Sequence, residues 1–171
     1  MNSSSEQATP VRPITAKRKW RRYLDTSVFG GCFDSAQRWS VDSRRVIDLF
    51  SRRDAVLLFS ELVERELLGA PANVQEVFAE IPQESVEPVP LTAEIDELAG
   101  AYVRAGVGGA RWLEDCTHVA AATIARADAI VSWNFKHIVR LDRIKGYNNV
   151  NLSLGYGIIT IISPREVDFD E

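Results

Sequence analysis

Residues 21–27 read Arg-Arg-Tyr-Leu-Asp-Thr-Ser, a short segment that ends in a carboxylate and two hydroxyl side chains. We interpret residues 21–25 as the first strand of the fold. In proteins built from parallel strands and helices, ligands bind outside the carboxyl ends of the strands, so Asp25 stands where such a protein builds a site. A helix-capping aspartate explains the same stretch equally well.

Helical and extended patterns alternate along the rest of the chain. The spacing of apolar residues predicts helices at 41–53, 61–69, 73–80, 92–105 and 112–126, and in part of 136–145. Short apolar runs predict strands at 55–59, 86–89, 129–132 and 158–162. Glycines and polar residues predict a loop or an irregular helix start at 30–40, a loop at 106–109 and a turn at 146–149. The alternation predicts a three-layer α/β/α fold around a mostly parallel central sheet.

Length and composition fit a single globular domain. The chain has 171 residues, of which 46% are hydrophobic and 26% are charged, which argues against disorder and against a fibrous protein. It contains no apolar run of membrane-helix length and no signal-peptide core, so we expect a cytoplasmic protein without a membrane partner. Its two cysteines, Cys32 and Cys116, are too few for a disulfide framework.

Charge is distributed unevenly along the chain. Residues 1–22 contain six basic residues and one acidic residue, although the whole chain has a net charge of −4. We predict a flexible basic leader at 1–20 and one domain at 21–171. The basic run at 17–22 surrounds Trp20, and it either grips nucleic acid or forms a solvated approach to the first strand. The acidic remainder would need metal ions or local basic patches to bind nucleic acid.

The helix that begins after Ser60 contains three glutamates, of which only Glu66 falls on the apolar face. Glu61 and Glu64 point away from that face and need no explanation beyond solvation. An acid on the core-facing side of a helix is costly unless it is paired, protonated or bound to a metal ion. Glu66 is therefore a candidate site residue.

Two further segments place polar side chains on an inward helix face or at the end of a strand. Asp115 shares a helix face with His118 and closely packed alanines, so we expect it to face inward, although the helix dipole alone also favours an early aspartate. Ser132 and Asn134 follow the strand predicted at 129–132, where ordinary loop chemistry is the alternative. Clustered carboxylates repel one another and need a cation, and oxygen ligands suit Mg²⁺ or Mn²⁺.

Motifs of several other protein classes are missing from the chain. It has no HExxH motif and no Cys/His spacing typical of zinc sites. It also lacks the GxxxxGK[ST] and GxGxxG nucleotide-binding loops and the GxSxG turn of hydrolases.

Four segments together resemble PIN-domain proteins, and most of all the VapC-type toxin ribonucleases of bacterial toxin–antitoxin modules. They are Tyr-Leu-Asp-Thr-Ser at 23–27, Phe-Ser-Glu-Leu-Val-Glu-Arg-Glu-Leu at 59–67, Asp-Cys-Thr-His-Val-Ala-Ala-Ala at 115–122 and Ala-Asp-Ala-Ile-Val-Ser-Trp-Asn-Phe-Lys-His-Ile at 127–138. The resemblance covers residues 22–163. It implies a PIN-like fold and metal-dependent hydrolysis of RNA phosphodiester bonds.

The resemblance also implies roles for individual residues. Asp25, Glu66 and Asp115 would be metal ligands and catalytic residues. Asn134 would complete the catalytic set, although many family members have aspartate at this place and a neutral amide would hold a metal ion more weakly.

Other residues would contact the substrate. Thr26 and Ser132 would orient water or a phosphate, together with Asn134. Lys136, Arg140 and Arg143 would contact the RNA backbone, with a solvated helix face as the alternative for these three.

An antitoxin protein that covers the site and a homodimer are the protein partners that the resemblance implies. Three alternative interpretations remain at this point. The chain could be a catalytically weak or inactive PIN-fold assembly protein, as Asn134 would favour. It could also be a phosphohydrolase of small molecules with a closed pocket, or a structural protein in which the three carboxylates lie far apart.

Overall fold

A five-stranded parallel sheet organises the computed structural model, which describes residues 18–168. The strands are β1 (Trp20–Leu24), β2 (Ala55–Ser60), β3 (Val86–Val89), β4 (Ala129–Val131) and β5 (Ile161–Ile162). Their spatial order is β3-β2-β1-β4-β5, and each neighbouring pair is parallel. The predicted α/β class is confirmed, and β3 is at the sheet edge as Pro88 required.

Helices form a layer on each face of the sheet. They are α1 (Thr26–Gly31), α2 (Ser40–Ser51), α3 (Glu61–Leu68), α4 (Ala72–Ala79), α5 (Ala93–Arg104), α6 (Leu113–Ile124) and α7 (Leu141–Ser153). Short 3₁₀ helices occupy Gln83–Ser85, Ala110–Trp112 and Pro164–Glu166. Helix α1 packs against α2, α3 and α4, whereas α5 packs against α6 and α7. Within residues 18–168, no helix is long and apolar enough to cross a membrane.

The strand order reverses between β1 and β4. From β1 the chain builds outward to β2 and β3, and it then returns to place β4 and β5 on the other side of β1. Proteins of this architecture usually bind ligands at the carboxyl ends of the strands where such an order reverses, and we call this region the β1–β4 crevice. Asp25 directly follows β1 and Ser132 directly follows β4, so both border this crevice.

Side-chain caps start both α3 and α5. The Ser60 hydroxyl accepts a hydrogen bond from the Val63 amide at 3.2 Å, and the Thr92 hydroxyl accepts one from the Ile95 amide at 3.4 Å. Each cap satisfies one amide of the first helical turn that has no partner inside the helix.

The turn predicted at 146–149 is wrong, because these residues lie inside α7. Gly146 serves close packing here, since a Cβ atom at this position would stand 2.9 Å from the Val107 side chain. The Asn148 carboxamide donates to the Ile159 carbonyl at 3.1 Å and accepts from the Ile159 amide at 2.8 Å. Residues typical of turns therefore make tertiary contacts within a helix.

Two other boundaries differ from prediction. Helix α1 covers Thr26–Gly31, where the sequence indicated no regular element before a loop at 30–40. The last strand contains only Ile161–Ile162 instead of 158–162. Both are short elements, whose local periodicity is too brief to specify their limits.

Two arginines of the basic run make structural contacts at the amino end of β1. Arg18 forms an ion pair with Asp128, and Arg21 forms one with Glu87. Residues 18–22 therefore lie at the amino ends of the strands, opposite Asp25, which favours their interpretation as the approach to the first strand. Residues 1–17 of the predicted leader lie outside the described residues.

Candidate active site

Asp25 lies at the carboxyl end of β1 with 5% of its surface exposed. Its carboxylate accepts a hydrogen bond from the Ser27 hydroxyl and another from the Ser132 hydroxyl at 2.9 Å. The backbone amides of Trp133 and Asn134 donate to these same two hydroxyl oxygens, each at 2.9 Å. Two serines thus fix Asp25 to the loop that follows β4.

Glu66 projects from α3 toward the same region, with 28% of its side chain exposed. The Thr26 hydroxyl donates to one carboxylate oxygen, and Nε2 of His118 lies 3.1 Å from the other. On the far side of the imidazole, Nδ1 lies 2.8 Å from the Tyr23 hydroxyl, which is 2.7 Å from Ser60 Oγ. A buried hydrogen-bond chain therefore orients His118 toward Glu66.

Asp115 lies in the first turn of α6 and is half-buried. It accepts a hydrogen bond from the Asn134 carboxamide nitrogen at 2.8 Å. The oxygen of the same carboxamide accepts from the His137 amide at 3.0 Å. Asn134 therefore connects Asp115 with the loop that also holds Asp25.

Burial and neighbouring charges shift the pKa values of the three carboxylates and of His118. Burial raises the pKa of Asp25, against the opposing effects of the His118 charge and the two serine hydrogen bonds. Burial also raises the pKa of Asp115, against the charges of His137 and His118.

The Glu66–His118 pair shifts in the directions expected of an ion pair. Burial alone would raise the pKa of Glu66, but the His118 hydrogen bond and charge lower it. Burial alone would lower the pKa of His118, but the hydrogen bond to Glu66 and the charges of Glu66, Asp25 and Asp115 raise it. The imidazole therefore responds to all three carboxylates, which places them in one electrostatic cluster.

Positive charge acts on this cluster from His118, from His137 beside Asp115 and from Arg65 beside Glu66. In residues 18–168, no arginine or lysine forms an ion pair with Asp25, Glu66 or Asp115. An all-oxygen donor set with excess negative charge has the chemistry that Mg²⁺ or Mn²⁺ requires. The side chains are not gathered around one point, however: over the described residues, no group of three His, Cys, Asp or Glu is arranged so that it could hold a metal ion.

The three basic residues predicted to contact RNA differ in their exposure and in their partners. Lys136 is exposed, with its ammonium 5.5 Å from the centre of the Trp112 ring. Arg140 forms a two-point ion pair with Asp142 at 2.6 and 2.9 Å. Arg143 has a buried Nε atom for which the described residues provide no hydrogen-bond partner. Lys136, which is exposed, is therefore better placed than Arg140 to contact a phosphate.

Sequence reasoning missed Ser27 and Tyr23 as members of the network. Ser27 could have been found, because a hydroxyl two residues after Asp25 is within reach of its carboxylate. Tyr23 is fully buried and looks like an ordinary core aromatic in the sequence. Only the tertiary structure shows that its hydroxyl supports His118.

No protein-family model matches this chain, and no curated protein matches it significantly. The class defined by fold and site is an α/β protein with a doubly wound parallel sheet. A cluster of three carboxylates and one imidazole borders the point where its strand order reverses.

Proposed function

We propose that the protein is a metal-dependent endoribonuclease of the PIN-domain class that hydrolyses RNA phosphodiester bonds. The observation that carries this proposal is the cluster of Asp25, Glu66 and Asp115 at the β1–β4 crevice without a paired arginine or lysine. All three carboxylates raise the pKa of His118, and this shared electrostatic environment argues against a purely structural role. Resemblance of four sequence segments to PIN-domain ribonucleases supports the same activity.

Asp25, Glu66 and Asp115 would hold Mg²⁺ or Mn²⁺ after a rearrangement that brings their carboxylates around one point. The ion supplies Lewis-acid activation of water and neutralises the charge that develops on the phosphate oxygens. Ser132 holds the Asp25 carboxylate in place, and Asn134 does the same for Asp115.

His118 performs a similar positioning role, because its Nε2 atom lies within hydrogen-bond distance of the Glu66 carboxylate. Thr26 donates to the other oxygen of Glu66. On the substrate side, Lys136 and Arg143 would neutralise backbone phosphates of the RNA.

The proposed biological role is that of a toxin in a toxin–antitoxin module. This part rests on the sequence resemblance, as do an antitoxin protein that covers the site, a homodimeric assembly and a cytoplasmic location. The net charge of −4 is consistent with an RNA contact that depends on bound cations and not on a broad basic surface.

Cleavage of a structured RNA tests the activity. Wild type, Asp25→Asn, Glu66→Gln and Glu64→Gln are incubated with the RNA in Mn²⁺, Mg²⁺ or EDTA. Glu64 is the matched control, because it is an exposed glutamate on the same helix. We expect wild type and Glu64→Gln to cleave with metal only, and the other two variants to lose activity. Equal cleavage by wild type and Asp25→Asn would mean contamination.

An inactive PIN-fold assembly protein is the second candidate, favoured by Asn134 at the place of a family aspartate. Calorimetric Mn²⁺ binding separates the two, since an inactive site binds the ion poorly. The Asn134→Asp variant provides a reference: two facing carboxylates would replace the present 2.8 Å hydrogen bond to Asp115 and require a cation between them. Mn²⁺ binding by this variant but not by wild type would establish the inactive candidate.

A further inference from the structure

Two connected cavities lie at the amino ends of β4 and β5, at the other end of the strands from the candidate active site. The first has a volume of about 310 Å³ and is lined by Thr123, Arg126, Ala127, Gly157, Ile158 and Ile159. The second has a volume of about 260 Å³, shares Thr123, Arg126 and Gly157 with the first, and also reaches Glu94 and Tyr156. We call the two cavities together the β5 groove.

The first cavity exposes apolar surface that an occupant would cover. Ile158 is 72% exposed, whereas its neighbour Ile159 is 3% exposed. Within residues 18–168, no atom lies within 4 Å of the place where a Cβ atom of Gly157 would stand, so the space beside Ile158 is open. Covering an exposed isoleucine is favourable, because it removes apolar surface from water.

The backbone of Ile159 is already bonded and cannot pair with an added strand. The Asn148 carboxamide accepts from the Ile159 amide at 2.8 Å and donates to the Ile159 carbonyl at 3.1 Å. Strand addition would otherwise be the usual way to cover β5, which is the outermost strand of the sheet. An occupant of the β5 groove therefore binds through side-chain contacts.

The chain enters the described part of the fold beside this groove. Arg18 forms an ion pair with Asp128, whose carboxylate also accepts a hydrogen bond from the Arg21 amide at 2.8 Å. Asp128 directly follows Ala127, which lines the first cavity. Residues 1–17 are therefore joined to the fold at about one arginine side chain's length from the groove.

Ile14 is within reach of the β5 groove. It precedes Arg18 by four residues, and an extended chain spans about 3.3–3.6 Å per residue, which gives a reach of about 13–14 Å. Strand β5 lies two positions from β1 in the sheet, which corresponds to about 10 Å at the usual spacing of neighbouring strands. Pro13 favours an extended backbone at Arg12, and alternate side chains of an extended segment share one side. Arg12 and Ile14 would therefore face the groove together.

The order of apolar and acidic groups along the groove matches the order of these two residues. Ile158 lines the cavity next to Ala127, and Glu94 lines the cavity beyond it. Glu94 accepts a hydrogen bond from the Tyr156 hydroxyl at 2.8 Å, and within residues 18–168 no arginine or lysine forms an ion pair with it. Because Arg126 borders both cavities, the apolar contact and not the charge should contribute most of the binding.

We propose that residues 11–16 occupy the β5 groove of the same chain, with Ile14 against Ile158 and Arg12 beside Glu94. The segment then covers the exposed isoleucine and ties the start of the chain to the last strand of the sheet. The groove lies at the amino ends of the strands, so this inference does not depend on the proposed ribonuclease function.

A pair of introduced cysteines tests where the segment lies while both isoleucines stay in place. Ala16→Cys is combined with Gly157→Cys in one full-length chain and with Asp54→Cys in a control chain. Asp54 is exposed and directly precedes β2, which is adjacent to β1, so undirected residues would reach it at least as easily. The native Cys32 and Cys116 are buried and should not compete. Under mild oxidation, the pair with Gly157→Cys should form its disulfide about tenfold faster, because docking raises the effective concentration of the two thiols.

Thiol labelling provides a second measurement in the full-length chain. In Gly157→Cys, the rate of reaction with a maleimide reports how well the groove is covered. Adding Ile14→Asp should raise this rate about tenfold, because a carboxylate is costly to bury against apolar side chains. Ile14→Leu keeps the apolar contact and should leave the rate low. Ser4→Asp adds the same charge outside the proposed segment and should not change it. Circular dichroism verifies that each variant is folded.

Three results would overturn the inference. The first is equal disulfide formation with Gly157→Cys and with Asp54→Cys. The second is a labelling rate that Ile14→Asp leaves unchanged, since something other than this segment would then determine access to the groove. The third is a disulfide-linked dimer in place of a linked monomer, which would show that the groove binds the segment of a second copy.

Discussion

The Asp25 carboxylate shows how burial connects stability with chemistry at a single residue. Its donors are the neutral hydroxyls of Ser27 and Ser132, and burial raises its pKa. A raised pKa in the folded state means that ionisation of Asp25 destabilises the metal-free protein. A bound cation would reverse this cost.

We therefore expect Asp25→Asn to be more stable than wild type in EDTA. Wild type loses the contribution of this group as pH rises from the unfolded pKa of 3.8 through the higher folded value, whereas asparagine does not titrate. The stability gain of the variant over wild type should be absent near pH 4 or below and complete above the folded-state pKa of Asp25. Each kcal/mol of gain should raise the melting temperature by about 2–4 °C.

Thermal unfolding followed by circular dichroism over this pH range measures the difference. Ser27→Ala serves as a comparison, because it removes a hydrogen-bond donor to the ionised Asp25 carboxylate. At pH values where Asp25→Asn is more stable than wild type, Ser27→Ala should be less stable. A constant gain at every pH would show that ionisation of Asp25 is not its cause.

Glu66 illustrates what a residue's place in the sequence can predict. Helical spacing alone separates it from Glu61 and Glu64, and the structure shows both of those exposed and Glu66 half-buried. Its partners Thr26 and His118 belong to other elements, 40 and 52 residues away in the chain. Local periodicity contains no information on such distant contacts.

At the scale of elements, α7 shows how tertiary contacts override turn propensity. Gly146 and Asn148 are strong turn residues, yet α7 continues through both. Val107 requires the glycine, and Ile159 uses the asparagine for two backbone hydrogen bonds. These partners come from loops on either side of the helix in sequence, so no local pattern identifies them.

Glycine-to-alanine substitutions in α5 and α7 should have opposite effects. Alanine favours a helix over glycine by about 1 kcal/mol. At Gly100 the added Cβ meets only the flexible end of Arg104, so Gly100→Ala should stabilise the protein by up to that amount. At Gly146 the Cβ would approach Val107 to 2.9 Å, and such overpacking costs about 1–3 kcal/mol. Gly146→Ala should therefore be destabilising.

Urea unfolding of the two variants beside wild type measures both changes. The double variant Gly146→Ala with Val107→Ala removes the clash and should recover part of the loss. If Gly146→Ala is as stable as Gly100→Ala, close packing does not explain the glycine in α7.

At the scale of the whole molecule, alternation of strands and helices predicts the layers and the parallel sheet but not the strand order. The order β3-β2-β1-β4-β5 depends on the direction in which each crossover packs. The reversal between β1 and β4 is what brings Asp25 and the loop with Ser132 together, across 107 residues of chain. The candidate site residues could therefore be selected one by one from the sequence, whereas their arrangement required the structure.

The distribution of charge over the molecule determines how strongly RNA binding should depend on salt. Arg18 and Arg21 are paired at the amino ends of the strands, and we expect Lys136 and Arg143 to be the cations that contact RNA phosphates. For a single strand, the slope of log affinity against log salt is about −0.7 per neutralised phosphate, so two contacts give about −1.4.

Titrations of labelled single-stranded RNA at constant Ca²⁺ and increasing KCl measure this slope. Lys136→Gln should reduce its magnitude by about 0.7, whereas Lys19→Gln, an exposed lysine of the basic run, should leave it unchanged. A slope steeper than about −3 would require contacts to four or more phosphates. The basic run would then take part in binding, and RNA would extend well beyond the β1–β4 crevice.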